Sequence, residues 1–279
     1  MDVPMTDQPK KKHNRIVQLR KDNVIEWPDL WAEVYVAPEC DSERRLIAEM
    51  MMIGGKCRAA KTPEEADLVI FGGGADVDPA FYNERPHART FCDMERDKQD
   101  LKLFQQCYEQ GIPMLGICRG AQFGHVMMGG QLYQDVDNHN GEHAMFLVTE
   151  NRIIPKVSSS HHQMVKKQPG METLGTAHGR STQRYLGPTM RENGKNDDIE
   201  AFFYRDACFL GVQGHPEYRN YPQFRYWTLI QIKDYLVEST DLCLKDGVRR
   251  VKDDILDRRM PFNKLRNYKN IMETNKETT

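Results

Sequence analysis

Two apolar runs stop abruptly at glycine-rich turns, and this constrains the fold more than any other feature of the chain. Ala66-Asp67-Leu68-Val69-Ile70-Phe71 ends in Gly72-Gly73-Gly74, and Ile112-Pro113-Met114-Leu115-Gly116-Ile117 ends at Cys118 with Gly120 just beyond. Each run is of strand length and almost wholly apolar, as expected of a strand buried on both faces. Between them, Met94 to Gln110 carries Leu101, Leu103, Phe104 and Cys107 at helical spacing and stops at Gly111. Arg119 to Met128 reads as the next helix. Upstream, Glu33 to Ala37 reads as a strand, residues 42 to 53 as a helix, and Thr62-Pro63-Glu64-Glu65 as a helix start. This alternation predicts an α/β fold with a mostly parallel central sheet flanked by helices on both faces. Residues 131 to 170 read as irregular and β-rich. Residues 200–204 and 208–213 read as a hairpin of strands, and Tyr221 to Leu236 as a long helix.

Charge excludes some functions. The 39 Lys+Arg against 41 Asp+Glu give a net charge of −2, without the basic footprint of a nucleic-acid binder. The balance is uneven along the chain. Residues 1–23 hold six Lys/Arg and three Asp, and residues 244–279 hold ten Lys/Arg and six Asp/Glu, leaving a body with 23 basic and 32 acidic residues. Three segments are therefore expected: an N-terminal basic arm over 1–30, a catalytic domain over 31–239, and a C-terminal helical extension over 240–279. Leu242, Leu244, Val248, Val251, Ile255 and Leu256 give the extension an apolar stripe suited to docking on the body. No run of 18 apolar residues occurs, and the N-terminal lysines precede no apolar stretch, so neither a membrane partner nor a secretory signal is expected. Seven cysteines without a C-x-x-C pair suggest a reducing, cytoplasmic setting with mostly buried thiols. Cys92, Cys107, Cys208 and Cys243 are read as core residues.

In open α/β sheets, ligands bind beyond the carboxyl ends of the strands. There the chain places G-I-C-R-G-A-Q at 116 to 122, with Cys118 two residues from a glycine on either side. Small neighbours permit a sharp strand-to-helix turn that exposes the side chain, and the helix N-terminus favours the thiolate. That gain is modest. Lowering a cysteine pKa from about 8.5 to about 6.5 raises the thiolate fraction roughly 25-fold at pH 7, while the weaker nucleophile gives back roughly 8-fold. Positioning, proton transfer and oxyanion donors must supply the rest. The glycine loop at 72–74 and the N–H of Arg119 are candidate donors. A base with an orienter comes from G-V-Q-G-H-P-E at 211 to 217, because His215 and Glu217 share a face of extended chain and Pro216 keeps His215 extended.

These motifs resemble the class I glutamine amidotransferase superfamily, most closely its γ-glutamyl-γ-aminobutyrate hydrolase-like branch, peptidase family C26. The resemblance spans about 32 to 238. It rests on F-G-G-G-A-D-V-D-P-A-F-Y-N-E at 71–84, Arg96-Asp97, G-I-C-R-G-A-Q, G-G-Q-L-Y-Q-D at 129–135, S-H-H-Q at 160–163 and G-V-Q-G-H-P-E. It implies the flavodoxin-like amidotransferase fold. It also implies Cys118 as nucleophile, His215 as acid and base, Glu217 as orienter, and the backbone of Gly74 and Arg119 as oxyanion hole. Gln122 is implied as a pocket residue, and Gly73, Ser159, His161 and His162 are counted with the substrate-binding residues. The chain departs from the family at Gly72 (usually Pro), Ala75 (Gly), Ser158-Ser159-Ser160 (Asn-Ser-Leu) and Gly214 (aromatic). The missing ring at Gly214 is expected to leave room beside His215 for a bulkier amine or for ammonia.

His139 and His143 form an H-x-x-x-H pair, but Gly141 and the Asp/Asn-rich flank oppose the helix that would make them co-ligands, so no metal is expected. The expected reaction is hydrolysis of a small-molecule γ-glutamyl amide through a thioester, without cofactor. Two rivals share the sequence: a glutaminase subunit feeding ammonia to a synthetase partner, and a catalytically silent binding module. The apolar stripe leaves a synthetase or a second copy of the chain open as partner.

Overall fold

The computed structural model describes residues 26–38, 41–54, 56–179, 182–187, 191–193 and 198–238. The basic arm through residue 25 and the C-terminal extension, with its apolar stripe and Cys243, lie outside the described residues.

The first half alternates as its apolar runs require. Strand β1 (Glu33–Val36) leads to α1 (Asp41–Met51), then β2 (Arg58–Ala59) and β3 (Leu68–Phe71). Helix α2 (Met94–Gln110) is followed by β4 (Met114–Ile117) and α3 (Arg119–Met127). Asp93 caps α2 by accepting the N–H groups of Glu95 and Arg96, and Gly111 ends it at φ 68°, where a residue with a Cβ is strained. Thr62-Pro63-Glu64-Glu65 begins no full helix. It yields a single 3₁₀ turn over Pro63–Glu65, because the Thr62 side chain makes no cap bond and Ala66 is already extended.

The second half is strand-rich. It comprises β5 (Leu132–Tyr133), β6 (Asp135–Val136), β7 (Asn140–Leu147), β8 (Arg152–Ser160), β9 (Met164–Val165), β10 (Glu172–His178), β11 (Arg184–Leu186), β12 (Arg191–Asn193), β13 (Ile199–Tyr204) and β14 (Phe209–Val212). Helix α4 (Pro222–Gln231) closes it and widens into a π-helix over Ile232–Val237, so the expected long helix changes its winding midway. The main sheet has the order β2-β1-β3-β4-β14-β13-β10-β7-β8. From β2 to β14 every pairing is parallel. From β14 outward every pairing is antiparallel, beginning with the expected hairpin.

Strands β3, β4, β13 and β14 are buried along their whole length, which is why they read as apolar runs, broken only by Glu200 in β13. Adjacent residues of β13 show that both faces are covered: Phe202 meets His125 of α3, and Phe203 meets Tyr235 of the π-helix. Phe71, Phe104, Phe123 and Phe209 pack together between sheet and helices, each fully buried and contributing roughly 1.5–3 kcal/mol. Cys92 differs from the core reading: it is exposed, on a loop bridged to Asp76. Cys107 and Cys208 lie in the core as expected, but Cys208 is disulfide-bonded rather than a free thiol. No helix among the described residues is long and apolar enough to cross a membrane.

Candidate active site

Three adjacent parallel strands deliver the three motifs to one edge. In register, Phe71 pairs with Gly116 and Ile117 with Val212, so the glycine loop, Cys118 and the 213–217 segment leave the sheet side by side. Cys118 donates its N–H to Val212 O (2.9 Å) and sits at φ 51°, ψ −111°, outside the regions L-residues favour. The glycines around it are required by contact. A Cβ on Gly120 would overlap the Phe71 carbonyl, and one on Gly116 would lie 2.5 Å from Gly120 O. The helix therefore starts hard against the sheet, holding the sulfur at its N-terminus.

His215 is 4% exposed and joins both expected partners. Its Nδ1 lies 2.7 Å from Glu217 Oε1, and its side chain is hydrogen-bonded to Cys118. Burial alone pulls the imidazole down. The bonds to Cys118 and Glu217 and their charges outweigh it, and the group is pushed up to about 12. Its ring stacks on Tyr218 (centroids 4.6 Å, 4° between planes), and its backbone N–H donates to Ser158 Oγ (2.6 Å). Arg225 of α4 clamps the turn from below, with Nε on Pro216 O (3.0 Å) and Nη2 on Glu217 O. Ser158, Tyr218 and Arg225 carry no motif signal of their own, and only the folded chain reveals them.

Gly74 has φ +136°, and a Cβ there would strike the Arg96 guanidinium. Arg119, as the first residue of α3, has a backbone N–H with no intrahelical acceptor. Its side chain turns away into a buried ion cluster with Asp97 and Asp100, which Arg96 also approaches (Nε to Asp100 Oδ2, 3.5 Å). Asp97 further accepts the Asp78 N–H (2.9 Å), and Arg96 Nη2 donates to Gly72 O (3.2 Å). The Arg96-Asp97 pair thus fastens the glycine loop to the nucleophile helix. Burial outweighs Arg119 at Asp97, whose carboxyl is pushed up to about 6.

The expected substrate residues divide. Gln122 is buried, with Nε2 on Gln163 O (3.1 Å) and Gln213 Oε1 (3.3 Å). Among the described residues, the Gln163 side-chain amide and Gln213 Nε2 have no hydrogen-bond partner, so unspent polar atoms gather near Gln122. Gly73 is buried within the glycine loop. His162 bridges Asp76 just past that loop (3.1 Å) and Asp135 (3.4 Å), and the bond to Asp76 raises its pKa. Ser159 and His161 go elsewhere: Ser159 Oγ contacts His139 Nδ1 (3.2 Å) and His161 Nε2 (3.4 Å) in a separate buried cluster. Alternation along β8 turns Ser158 to His215 and Ser159 away. The space expected at Gly214 is not there. A Cβ would lie 2.6 Å from Ser158 O and 3.0 Å from the Phe224 ring, so strand β8 and helix α4 fill the place of the missing aromatic side chain.

The chain has relatives among known proteins. The chain is 31% identical over 175 residues to YvdE, a glutamine amidotransferase-like protein of Lactococcus lactis, covering 54% of this chain and 66% of that protein. It is 27% identical over 152 residues to the gamma-glutamyl-CDP-amidate hydrolase of Campylobacter jejuni, covering 54% of this chain and 62% of that protein. The chain thus spans slightly less than two thirds of each of these relatives. Among solved structures, PurLQS from Thermotoga maritima matches with a TM-score of 0.50 at 14% identity, over 72% of this chain and 97% of that chain, a likeness of fold. Membership of the matching family supports a hydrolase acting on amide C–N bonds. A family model described as Peptidase C26 matches residues 50–217, and the chain belongs to that family.

Proposed function

We propose that the chain hydrolyses a γ-glutamyl amide through a γ-glutamyl thioester on Cys118. The sulfur attacks the γ-carbonyl carbon, and the N–H groups of Gly74 and Arg119 hold the resulting oxyanion, each donor worth about 3 kcal/mol. His215, protonated between Cys118 and Glu217, gives its proton to the nitrogen as the C–N bond breaks, so ammonia or an amine leaves neutral. Water then attacks the thioester while His215 takes its proton. The C–S bond breaks, glutamate departs and the thiolate is restored. The orphan amides of Gln163 and Gln213 are assigned to the glutamyl group, beside Gln122.

The observation that carries this reading is the imidazole shared between the Cys118 side chain and a carboxylate that is itself fully buried. The name of the Campylobacter relative supports the γ-glutamyl class. The test is glutamate release from glutamine and from γ-glutamyl amines, wild type beside Cys118→Ala, with mass spectrometry for a γ-glutamyl adduct on Cys118. Turnover and adduct in the wild type alone are expected. Equal release by Cys118→Ala would sink the reading. Glutamine turnover only with an added synthetase would assign the same chemistry to an ammonia-supplying subunit.

A further inference from the structure

Behind the catalytic wall, residues distant in sequence bring three imidazoles around one carboxylate. His139 Nδ1, His143 Nε2 and His161 Nε2 lie 3.4, 3.1 and 3.9 Å from Glu200 Oε1. All four residues are buried, and Glu200 is 1% exposed. The far nitrogen of each ring faces an acceptor: His139 Nε2 faces Asp198 Oδ2 (3.1 Å), His143 Nδ1 faces Ala144 O (2.8 Å) and His161 Nδ1 faces Gln163 O (3.0 Å). A carbonyl or carboxylate only accepts, so each of these far nitrogens carries a proton, and in a neutral ring the near nitrogen then presents a lone pair to Glu200.

Lone pairs and a carboxylate directed at one another are balanced by a positive charge between them, either a proton on one ring or a bound cation. Among the described residues, neither Glu200 oxygen nor His143 Nε2 makes a hydrogen bond, since the close approaches are misaligned for one. The Ser159 hydroxyl, 3.2 Å from His139 Nδ1 and 3.4 Å from His161 Nε2, can donate its single proton to only one of them. The donor atoms of His139, His161 and Glu200 lie within 4.8 Å of one another. Metal–ligand bonds of about 2.0–2.1 Å in a tetrahedron set ligands roughly 3.3 Å apart, close to the spacings around Glu200 Oε1. Outer carboxylate and carbonyl partners that fix each tautomer are what metal-binding histidines use.

We propose that His139 Nδ1, His161 Nε2 and the Glu200 carboxylate bind one divalent transition metal ion of the zinc class, with His143 orienting the carboxylate. Two imidazoles and a carboxylate suit a borderline cation rather than calcium or magnesium. A surface cleft lined partly by Asn138, His139, Asn140 and His161 gives entry. The site ties the start of β7 and the end of β8 to β13, and it touches catalysis indirectly. Gln163 O accepts from both His161 and Gln122, and Ser158, which receives the His215 N–H, is the chain neighbour of Ser159. The ion braces the wall of the catalytic pocket and takes no part in bond making. The strand pairing thus sets His139 beside His161 and Glu200 rather than joining it to its H-x-x-x-H neighbour as a co-ligand.

The test uses the full chain, stripped with chelator and titrated with Zn²⁺ and Co²⁺. Expected are one ion per chain by mass spectrometry of the metal, a thermal midpoint that rises with metal, and a cobalt spectrum with visible d–d bands and no thiolate charge-transfer band. Glu200→Gln and His161→Asn should each weaken binding by about 100-fold or more, and Asp198→Asn by about 10- to 100-fold. Cys118→Ser should bind as the wild type does, which separates this site from the proposed nucleophile. A wild type that holds less than a tenth of an equivalent, or a midpoint indifferent to metal, would overturn the proposal and leave the cluster holding a proton instead. A thiolate band, or undiminished binding by Glu200→Gln, would overturn it equally. The wild-type arms decide the matter even if a variant does not fold.

Discussion

The parallel and antiparallel halves of the sheet build their polar sites by different rules. At the carboxyl edge of β3, β4 and β14, each proposed functional group follows its strand directly, and adjacent glycines are fixed by close contact: Gly120 against the Phe71 backbone, Gly74 against the Arg96 guanidinium. In the antiparallel flank, His139 and His143 at β7, His161 after β8 and Glu200 in β13 come from three chain segments and meet through pairing and register. One site is a local property of strand ends, and the other is a property of how strands associate. The first therefore tolerates little change in backbone, while the second depends on side chains held from several directions.

The largest expected contrast is in chemistry. Cys118→Ala should lower glutamate release by about 10⁴-fold or more, while Ser159→Ala, in the other half, should lower it by less than about 10-fold. Comparable losses would erase the functional division. Next, Arg119→Leu removes the cation from Asp97 and leaves Asp100 with Arg96 alone, and denaturant unfolding should register a loss of about 3–5 kcal/mol. His125 sharpens the boundary between the halves, lying in α3 with its Nδ1 2.8 Å from Tyr204 Oη of β13. Burial holds it down to about 4, against an unfolded value of 6.5, so the unfolded chain gains the proton first as pH falls. The stability it contributes is present above pH 6.5 and is lost toward pH 4, by about 3 kcal/mol, a slope that His125→Gln should flatten. Smaller again, Gly214→Ala should cost about 1–3 kcal/mol by crowding Ser158 and Phe224, read as a lowered thermal midpoint. An unchanged midpoint would restore the open space that the sequence suggested.

Legibility follows the same division. Helix α2 is read to its last residue, because the Gly111 terminator lies directly after its apolar stripe. Cys118, His215 and Glu217 are readable because strand-end chemistry leaves local spacing. Sequence alone does not separate Ser158 from Ser159, because a strand's facing depends on parity and a shift of one residue exchanges the faces. The crowding at Gly214 was unreadable since it arises from Ser158 and Phe224, both distant in sequence. Arg225 was missed because a guanidinium that binds only backbone carbonyls leaves no mark on its partners' identities.

The backbone at Cys118 has one further consequence. At φ 51°, ψ −111° an L-residue carries strain that glycine does not. Cys118→Gly should therefore match or exceed the wild type in resistance to unfolding, by about 1 kcal/mol, though inert toward substrate. Durability alone would favour glycine at this turn, so under the proposed mechanism the thiol stands where robustness is given up for reactivity.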